Sequence, residues 1–587
     1  MADGISSAIH CLLMRNQPSA STSQPPNDPL IKVKSPKTIL SHRLILTVIA
    51  ATFVHLLPGT SADAANYHVD ANQGLDSNPG TAPEAPWKTF QKVNATTFKP
   101  GDRILLKAGG SWKGMLHPLG SGSAEAPITL GAYGDGAKPV IDGDGAEAAV
   151  LLVDQQHWVI DGLELRNTTT NRMITGHLSA KHKEEGQETQ VPGMRSGIAV
   201  RTKGTERMAG LRIANCDIHS IQGSSWRLAQ PGMYENAGIH VMSKAPFDEV
   251  LIENNFIHDL DTTGMIIWVG LGEHLHKWLE ADPALWGRKT VIRKNRIVNT
   301  GADGMIVGCA EGLLIEHNVC DGAGVNAEPA QVVTGNAAAD ELHIAGIWCD
   351  ATKDAIIQYN EVARTRPSPI PSDSQAFDVD MACRGTITLQ YNYTHDNPGG
   401  VLLIMNWNPN LERVIYRYNV SQNDGRLNKS GHQIYMIQHA GQMPKSVEIY
   451  NNVFVNTLDD KGFGMTDCKE MAFRNNIFYW RLPGYEVGPQ EYWPSTYPTQ
   501  PVFEGNCFVG HELIVNDPQK LVTDPKFVEA GKGSDGRKTL DGYRLHPGSP
   551  CIGAGVMISD NGGRDFFGNP PPAEMKPAIG IHQPAVQ

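Results

Sequence analysis

The feature that most restricts how this chain can fold is a phrase, apolar-x-x-Asn-x-apolar, first met at Ile252–Asn255 and last at Phe503–Asn506. Its other copies end at Asn295, Asn318, Asn360, Asn392, Asn419, Asn452 and Asn476, and Ile213–Cys216 fills the same slot with a cysteine. Successive asparagines lie 40, 23, 42, 32, 27, 33, 24 and 30 residues apart. Such spacing suits a coil whose rungs keep their strands while the loops between them vary. A helical repeat does not fit, because the apolar stretches are short, β-branched, alternating and punctuated by Gly and Asn. Asn suits the slot because it tolerates a left-handed backbone and its amide can hydrogen-bond to neighbouring turns. Stacked rung on rung, such amides form a ladder. No rung buries its apolar face alone, so stability comes from neighbours and the ends need caps. A β-sandwich would require every copy of the phrase to be coincidence.

Further motifs flank the ladder. They are Tyr67–Asn72, Pro86–Phe90, Gly101-Asp102, Ala126–Ile128, Tyr543–Cys551 and Asp560–Asp565. Together with the ladder, they resemble the pectate-lyase-like right-handed parallel β-helix superfamily. More narrowly, they resemble the secreted bacterial β-helix repeat proteins that include several glycoside hydrolase families. The resemblance spans most of residues 66–583 and implies an all-β fold. That fold is a single-stranded right-handed parallel β-helix with an N-terminal cap and long loop insertions. It says little of substrate, since the same coil carries hydrolases, lyases, epimerases and binding proteins. The expected division is a leader at 1–65 and one β-helix domain at 66–587. Within that domain, 66–166 form the cap and first rungs, and 507–587 the last rungs and their cap.

Long excursions interrupt the rungs at 167–208, 220–237, 270–289, 322–345, 365–375 and 481–501, and loops of this length are uncommon unless functional. They carry Trp226, Trp278, Trp286, Tyr485, Tyr492, Trp493 and Tyr497, aromatic faces suited to stacking on sugar rings.

The N-terminal stretch reads as a targeting segment. Arg43 precedes the apolar run Leu44–Leu57, and Ser61–Ala65 offers small residues for cleavage. The run is shorter than the ~20 apolar residues a membrane span needs. A bacterial export signal is expected, giving a secreted or periplasmic protein without membrane association after cleavage. A mis-set start or a retained anchor is the alternative. With 50 basic against 62 acidic residues the chain carries −12, which argues against nucleic acid as a partner. A carbohydrate substrate and a monomer are expected. The nine cysteines include no C-x-x-C. Cys309, Cys349 and Cys383 fall near strands of successive rungs and are expected to stack inside the coil as free thiols rather than bridge.

One strand can be followed from rung to rung as Gly238–Met242, Gly264–Trp268, Gly304–Gly308, Gly346–Asp350, Ala376–Asp380, Val401–Asn406, Ile434–His439 and Phe463–Asp467. Side chains alternate across a strand. If Ile347, Cys349, Phe377 and Val379 face inward, then Trp348, Asp350, Asp378 and Asp380 share the outer face. Neighbouring strands lie about 4.8 Å apart and alternate residues about 6.6 Å apart. Asp350 and Asp380 would then face one another across one rung, with Asp378 on the diagonal. Retaining glycosidases hold their carboxyls about 5–5.5 Å apart and inverting ones about 6.5–9.5 Å. Crowding should also raise at least one pKa, as a general acid requires. The reading is a glycoside hydrolase with Asp350, Asp378 and Asp380 as its catalytic carboxylates, and retention if the pair is Asp350 and Asp380.

His240, Trp268, Trp348, His395, Asp396, Asn406, Trp407 and His439 are the candidate substrate-binding residues, with Asn397, Gln438 and Asp467 nearby. No cofactor or metal is expected. Calcium enters under the alternative of a calcium-dependent polysaccharide lyase, for which Arg384, Arg413, Arg426 and Lys429 are candidate bases. Glu273, His274 and His276 form a weaker metal-binding pattern. A non-catalytic carbohydrate-binding surface protein is the third class. Nucleotide-binding and zinc-protease motifs are missing from any context that would give them meaning.

Overall fold

The structure, a computed structural model, describes residues 64–584 except 172, 177–185, 187–188, 194, 224–235, 271–281, 327–343, 368–373, 407–409, 427–431, 439–443, 459–463, 466–470, 481–500 and 511–514. Parallel strands assemble into three sheets of sixteen, fourteen and ten strands, which form the three walls of a coil. One rung passes through Ala345–Asp350 on the ten-stranded wall, Lys353–Gln358 on the sixteen-stranded wall and Glu361–Ala363 on the fourteen-stranded wall. The next rung, Gln375–Val379, Arg384–Gln390 and Tyr393–His395, stacks on it strand for strand in parallel. The chain is an all-β parallel β-helix.

The asparagine phrase marks the corner between the sixteen- and fourteen-stranded walls. Each ladder residue is buried, and each side-chain amide donates to the next one along: Asn255 to Asn295 at 2.9 Å, Asn295 to Asn318 at 3.0 Å, and so on to Asn476 and Asn506 at 3.1 Å. Each also donates to a carbonyl of the preceding rung, as Asn360 does to Ile315 at 3.0 Å. Cys216 occupies the first slot, its backbone N–H donating to Asn255 Oδ1. The expectation about backbone shape needs correcting. The left-handed residue is the one before each ladder asparagine: Asn254, Lys294, His317, Tyr359, Tyr391, Tyr418, Asn451 and Asn475 have φ between 51° and 57°, and Gly505, before Asn506, has φ 67°. That residue turns the corner, which leaves the asparagine's amide free to point along the stack.

Inward residues of the walls form one continuous core that includes Ile347, Cys349, Phe377 and Val379. A five-residue helix, Phe90–Asn94, buries Phe90 and Val93 at the N-terminal end. The excursion after Asn167 contains an antiparallel pair, Met173–Gly176 with Thr189–Pro192. After Leu521–Val522 the chain runs back along the outside of the coil. There Leu540, Tyr543, Cys551 and Ile579 pack on Tyr391, Tyr393, Tyr418 and Val453. The seven described cysteines are unpaired and buried. Cys349 and Cys383 are in contact inside the coil, with Sγ atoms 3.8 Å apart. Cys309, expected in the same file, packs instead in a cluster on the outer face, because the backbone at Cys309 is left-handed (φ 55°) and turns its side chain out of the strand alternation.

Candidate functional site

On the ten-stranded wall, strand register builds two outward files. One runs Ala199, His240, Ile266, Ile306, Trp348, Asp378 and Leu403. The other runs Arg201, Met242, Trp268, Gly308 and Asp350. Because Cys349 pairs with Val379, the residues that follow them, Asp350 and Asp380, end adjacent strands side by side. The Asp380 N–H donates to the Cys349 carbonyl at 2.9 Å and closes this corner. All three acids thus leave the coil on one wall, as the alternation predicts.

They do not lie on an open surface. Asp350 is 2% exposed and Asp378 and Asp380 are 8% exposed. Around them an outer apolar cluster gathers Ile266, Trp268, Trp286, Ile306, Cys309 and Trp348. Trp268 fits because position 308 is glycine: a Cβ there would lie 2.3 Å from the indole Cδ1 and Nε1. Trp286 arrives from the loop after the one-turn helix Pro283–Leu285 and is completely buried. The Arg384 guanidinium lies over its ring, 5.4 Å from the centroid, and burial pulls that guanidinium's pKa down.

Burial, reinforced by the neighbouring charge of Asp380, drives the Asp350 pKa well above the ordinary carboxylate range, only partly offset by the Ala351 N–H. Asp350 Oδ1 is buried and receives no hydrogen bond. Asp380 Oδ1, by contrast, accepts from the Met381 N–H at 2.7 Å. A carboxyl that resists ionisation thus lies beside a second one, on strands spaced about 4.8 Å apart, each with a backbone N–H from the residue that follows it. Two adjacent acids, one of them desolvated, can divide an acid role from a nucleophile role.

His240, Trp268 and Trp348 join this wall. His395 and Asp396 do not, and their assignment to the site is corrected. They end strand Tyr393–His395 on the fourteen-stranded wall, one corner past the Asn392 turn, so they leave the coil in a different direction. His395 there contacts Glu361 Oε1 at 3.3 Å, Asp396 Oδ2 at 3.0 Å and Asp535 Oδ1 at 3.8 Å. Burial lowers its pKa, but the hydrogen bonds to Asp396 and Glu361 outweigh that and push it up to about 9. Asn397, next in sequence, caps a turn by donating to Asp424 Oδ1. Asn406 ends strand Gly400–Asn406, paired with Gln438. Trp407, His439, Asp467, Glu273, His274, His276, Lys429 and the loop aromatics other than Trp286 lie outside the described residues.

Of the described candidate bases, Arg413 pairs with Glu448 on another wall and Arg426 with Asp396. Arg384 lies over Trp286, a member of the outer apolar cluster. Among the described residues, the group with metal-ligand geometry is Glu361, His395 and Asp535, whose ligand atoms lie within 4.8 Å of one another. The Arg364 guanidinium binds Asp535 at 2.8 Å and Asp321 at 2.6 Å in the same place, so a cation is already provided there. Sequence reasoning missed the glycine cradle under Trp268. A glycine following a tryptophan along an outward file, Trp268 to Gly308, was the available signal.

The fold and this wall define a class: parallel β-helices with an acid pair held in an aromatic recess on one outer face. No protein-family model matches the chain. The chain is 27% identical over 594 aligned residues to a lacto-N-biosidase of Bifidobacterium longum subsp. longum, covering 87% of the chain. It spans 36% of that relative's length. A 64-residue stretch is 36% identical to alpha-1,3-galactosidase A of Akkermansia muciniphila, covering 11% of each protein. Among solved structures, the GH136 lacto-N-biosidase from Eubacterium ramulus superposes with a TM-score of 0.54 at 23% identity, covering 70% of this chain and 68% of that one. That last likeness is one of fold.

Proposed function

We propose that the chain is a retaining glycoside hydrolase acting on oligosaccharides, with Asp350 as general acid and base and Asp380 as nucleophile. The observation that carries this reading is the pairing of the two acids on adjacent strands, with Asp350 desolvated and its pKa raised. The Asp380 carboxylate attacks the anomeric carbon while Asp350 passes its proton to the departing glycosidic oxygen. Asp350 then takes a proton from water, which displaces the sugar from Asp380 and restores both carboxyls. Trp348 and Trp268, both buried, shape the apolar wall beside the pair, and Asp378, in file with Trp348, would accept from sugar hydroxyls. The names of the relatives, a lacto-N-biosidase and a galactosidase, support a glycosidic substrate, and lacto-N-biosides are the first substrates to try. The reading includes export of the chain, motivated by the apolar run Leu44–Leu57.

The test is to incubate the purified protein with lacto-N-biosides and other neutral oligosaccharides and follow the first-formed anomer by NMR. Release of sugar with retained configuration is expected, and absent from Asp350→Asn and Asp380→Asn variants that keep the wild-type circular dichroism. Undiminished turnover in both variants, or an inverted product, would remove the assignment.

A further inference from the structure

Upstream on the same wall lies a cavity of about 560 Å³. Its floor comes from the outward files of strands Ala148–Val153, Ser196–Thr202 and Ala237–Ser243, including Leu151, Arg201 and Met242. Among the described residues its lining holds three cations, Arg201, Lys203 and Lys244, and one acid, Glu147. Such an excess is unexpected on a chain of net charge −12. Arg201 is oriented by Glu147, which accepts from its guanidinium at 2.9 Å. His117 lies against the same cavity with Nδ1 engaged by the Leu151 carbonyl at 2.9 Å, so Nε2 is the ring's remaining polar atom. An apolar floor with cations at its rim is the composition of a site for a ring that carries a negative charge.

Its position ties it to the acid pair. Met242, in the cavity lining, is followed along its file by Trp268, Gly308 and Asp350. Three strand spacings amount to about 14 Å, the reach of a short oligosaccharide. The wall is therefore charged at its two ends and apolar between them, cationic at the cavity and carboxylate-bearing at the pair. We infer that the cavity is a distal subsite for an anionic sugar, carrying a sulfate or a carboxylate, of an oligosaccharide cleaved at Asp350 and Asp380. The inference rests on the hydrolase reading for the cleavage step. An anion placed at the pair would be repelled by Asp380, whereas in the cavity it meets Arg201 and Lys244. This fixes which way round the chain binds.

The experiment compares oligosaccharides in three forms: neutral, 6-O-sulfated, and ended by a glucuronic acid. Affinity is measured on the Asp380→Asn protein and turnover on wild type. Sulfated or uronic forms are expected to bind about tenfold more tightly than their neutral parents, the scale of one or two charge-assisted hydrogen bonds. That preference should disappear in a background carrying Arg201→Gln and Lys244→Gln, and weaken as salt is raised. Which of the two charged forms gains more separates sulfate from carboxylate. Equal affinity for charged and neutral forms, or a preference that survives the double substitution, overturns the subsite. Charge-dependent binding without cleavage of any form by wild type would instead leave the anion site standing and remove the hydrolase reading.

Discussion

Two walls of the same coil use acidic residues in opposite ways. On the fourteen-stranded wall, Glu361 accepts from the His395 ring and from the Gly536 N–H at 2.8 Å, and Asp535 is held by Arg364. Asp424, completely buried, accepts from Thr394, Ser421 and Asn397, although burial still lifts its pKa to about 6. On the ten-stranded wall, in the same rung as Glu361, the charge that acts on Asp350 is another carboxylate. The first arrangement fastens the returning C-terminal segment to the coil. The second costs stability, because like charges are brought together out of water. An acid placed where it cannot be satisfied is the mark of a site rather than of a scaffold.

The comparison can be broken at its functional end first. Replacing Asp380 by Ala should lower turnover by at least ~10⁴-fold, the order seen when a nucleophile is removed. Added azide should restore part of that rate and yield a glycosyl azide. Asp350→Asn should cost about 10²–10⁴-fold. The wild-type pH profile of kcat/KM should fall on its alkaline side as Asp350 loses its proton, and that limb should be missing in Asp350→Asn. Calcium removal with EGTA is expected to leave turnover unchanged; loss of activity would favour the lyase alternative.

Stability sharpens the contrast from the other side. His395→Ala should destabilise the protein by about 3–5 kcal/mol, since it strands the buried Glu361 carboxylate, while leaving kcat unchanged. The sign of its pH dependence follows from a folded pKa of about 9 against an ordinary value near 6.5. The contribution of protonated His395 is complete below about 6.5 and is lost as pH rises through about 9. The melting temperature should therefore drop between pH 7 and pH 10, and less so in the variant. Asn360→Ala, which deletes a rung of the ladder, should cost about 1–3 kcal/mol. Asp350→Asn should run the other way and stabilise. A carboxyl whose folded pKa is raised makes the fold progressively less stable above its unfolded pKa of about 4, so the gain should be larger at pH 8 than at pH 4.

Much of this contrast was legible in the chain itself. The ladder could be read because one local phrase recurs, and the outward register of Asp350, Asp378 and Asp380 followed from Ile347, Cys349, Phe377 and Val379 alone. What could not be read was direction around the coil. His395 and Asp396 follow the acid pair closely in sequence, but the Asn392 turn lies between, and each corner rotates the outward direction to another wall. The burial of the pair was also hidden, since Trp286 reaches it from a loop without periodicity. The pairing of Arg364 with Asp535 joins residues far apart in the chain, and no spacing rule foretells it.

The ladder has one more property, set by its last member. Every amide in it passes a hydrogen onward to the next oxygen, so the file has a direction and needs something at its far end that only receives. Asp517 is that terminus: its Oδ2 accepts from both the Asn506 backbone N–H and the Asn506 side chain at 2.9 Å. A carboxylate offers no hydrogen to a further turn. A second copy of the coil docking end to end would find no donor there to extend the file. The residue that completes the stack therefore ends the file of donors, and an amide at position 517 would restore a donor at that end.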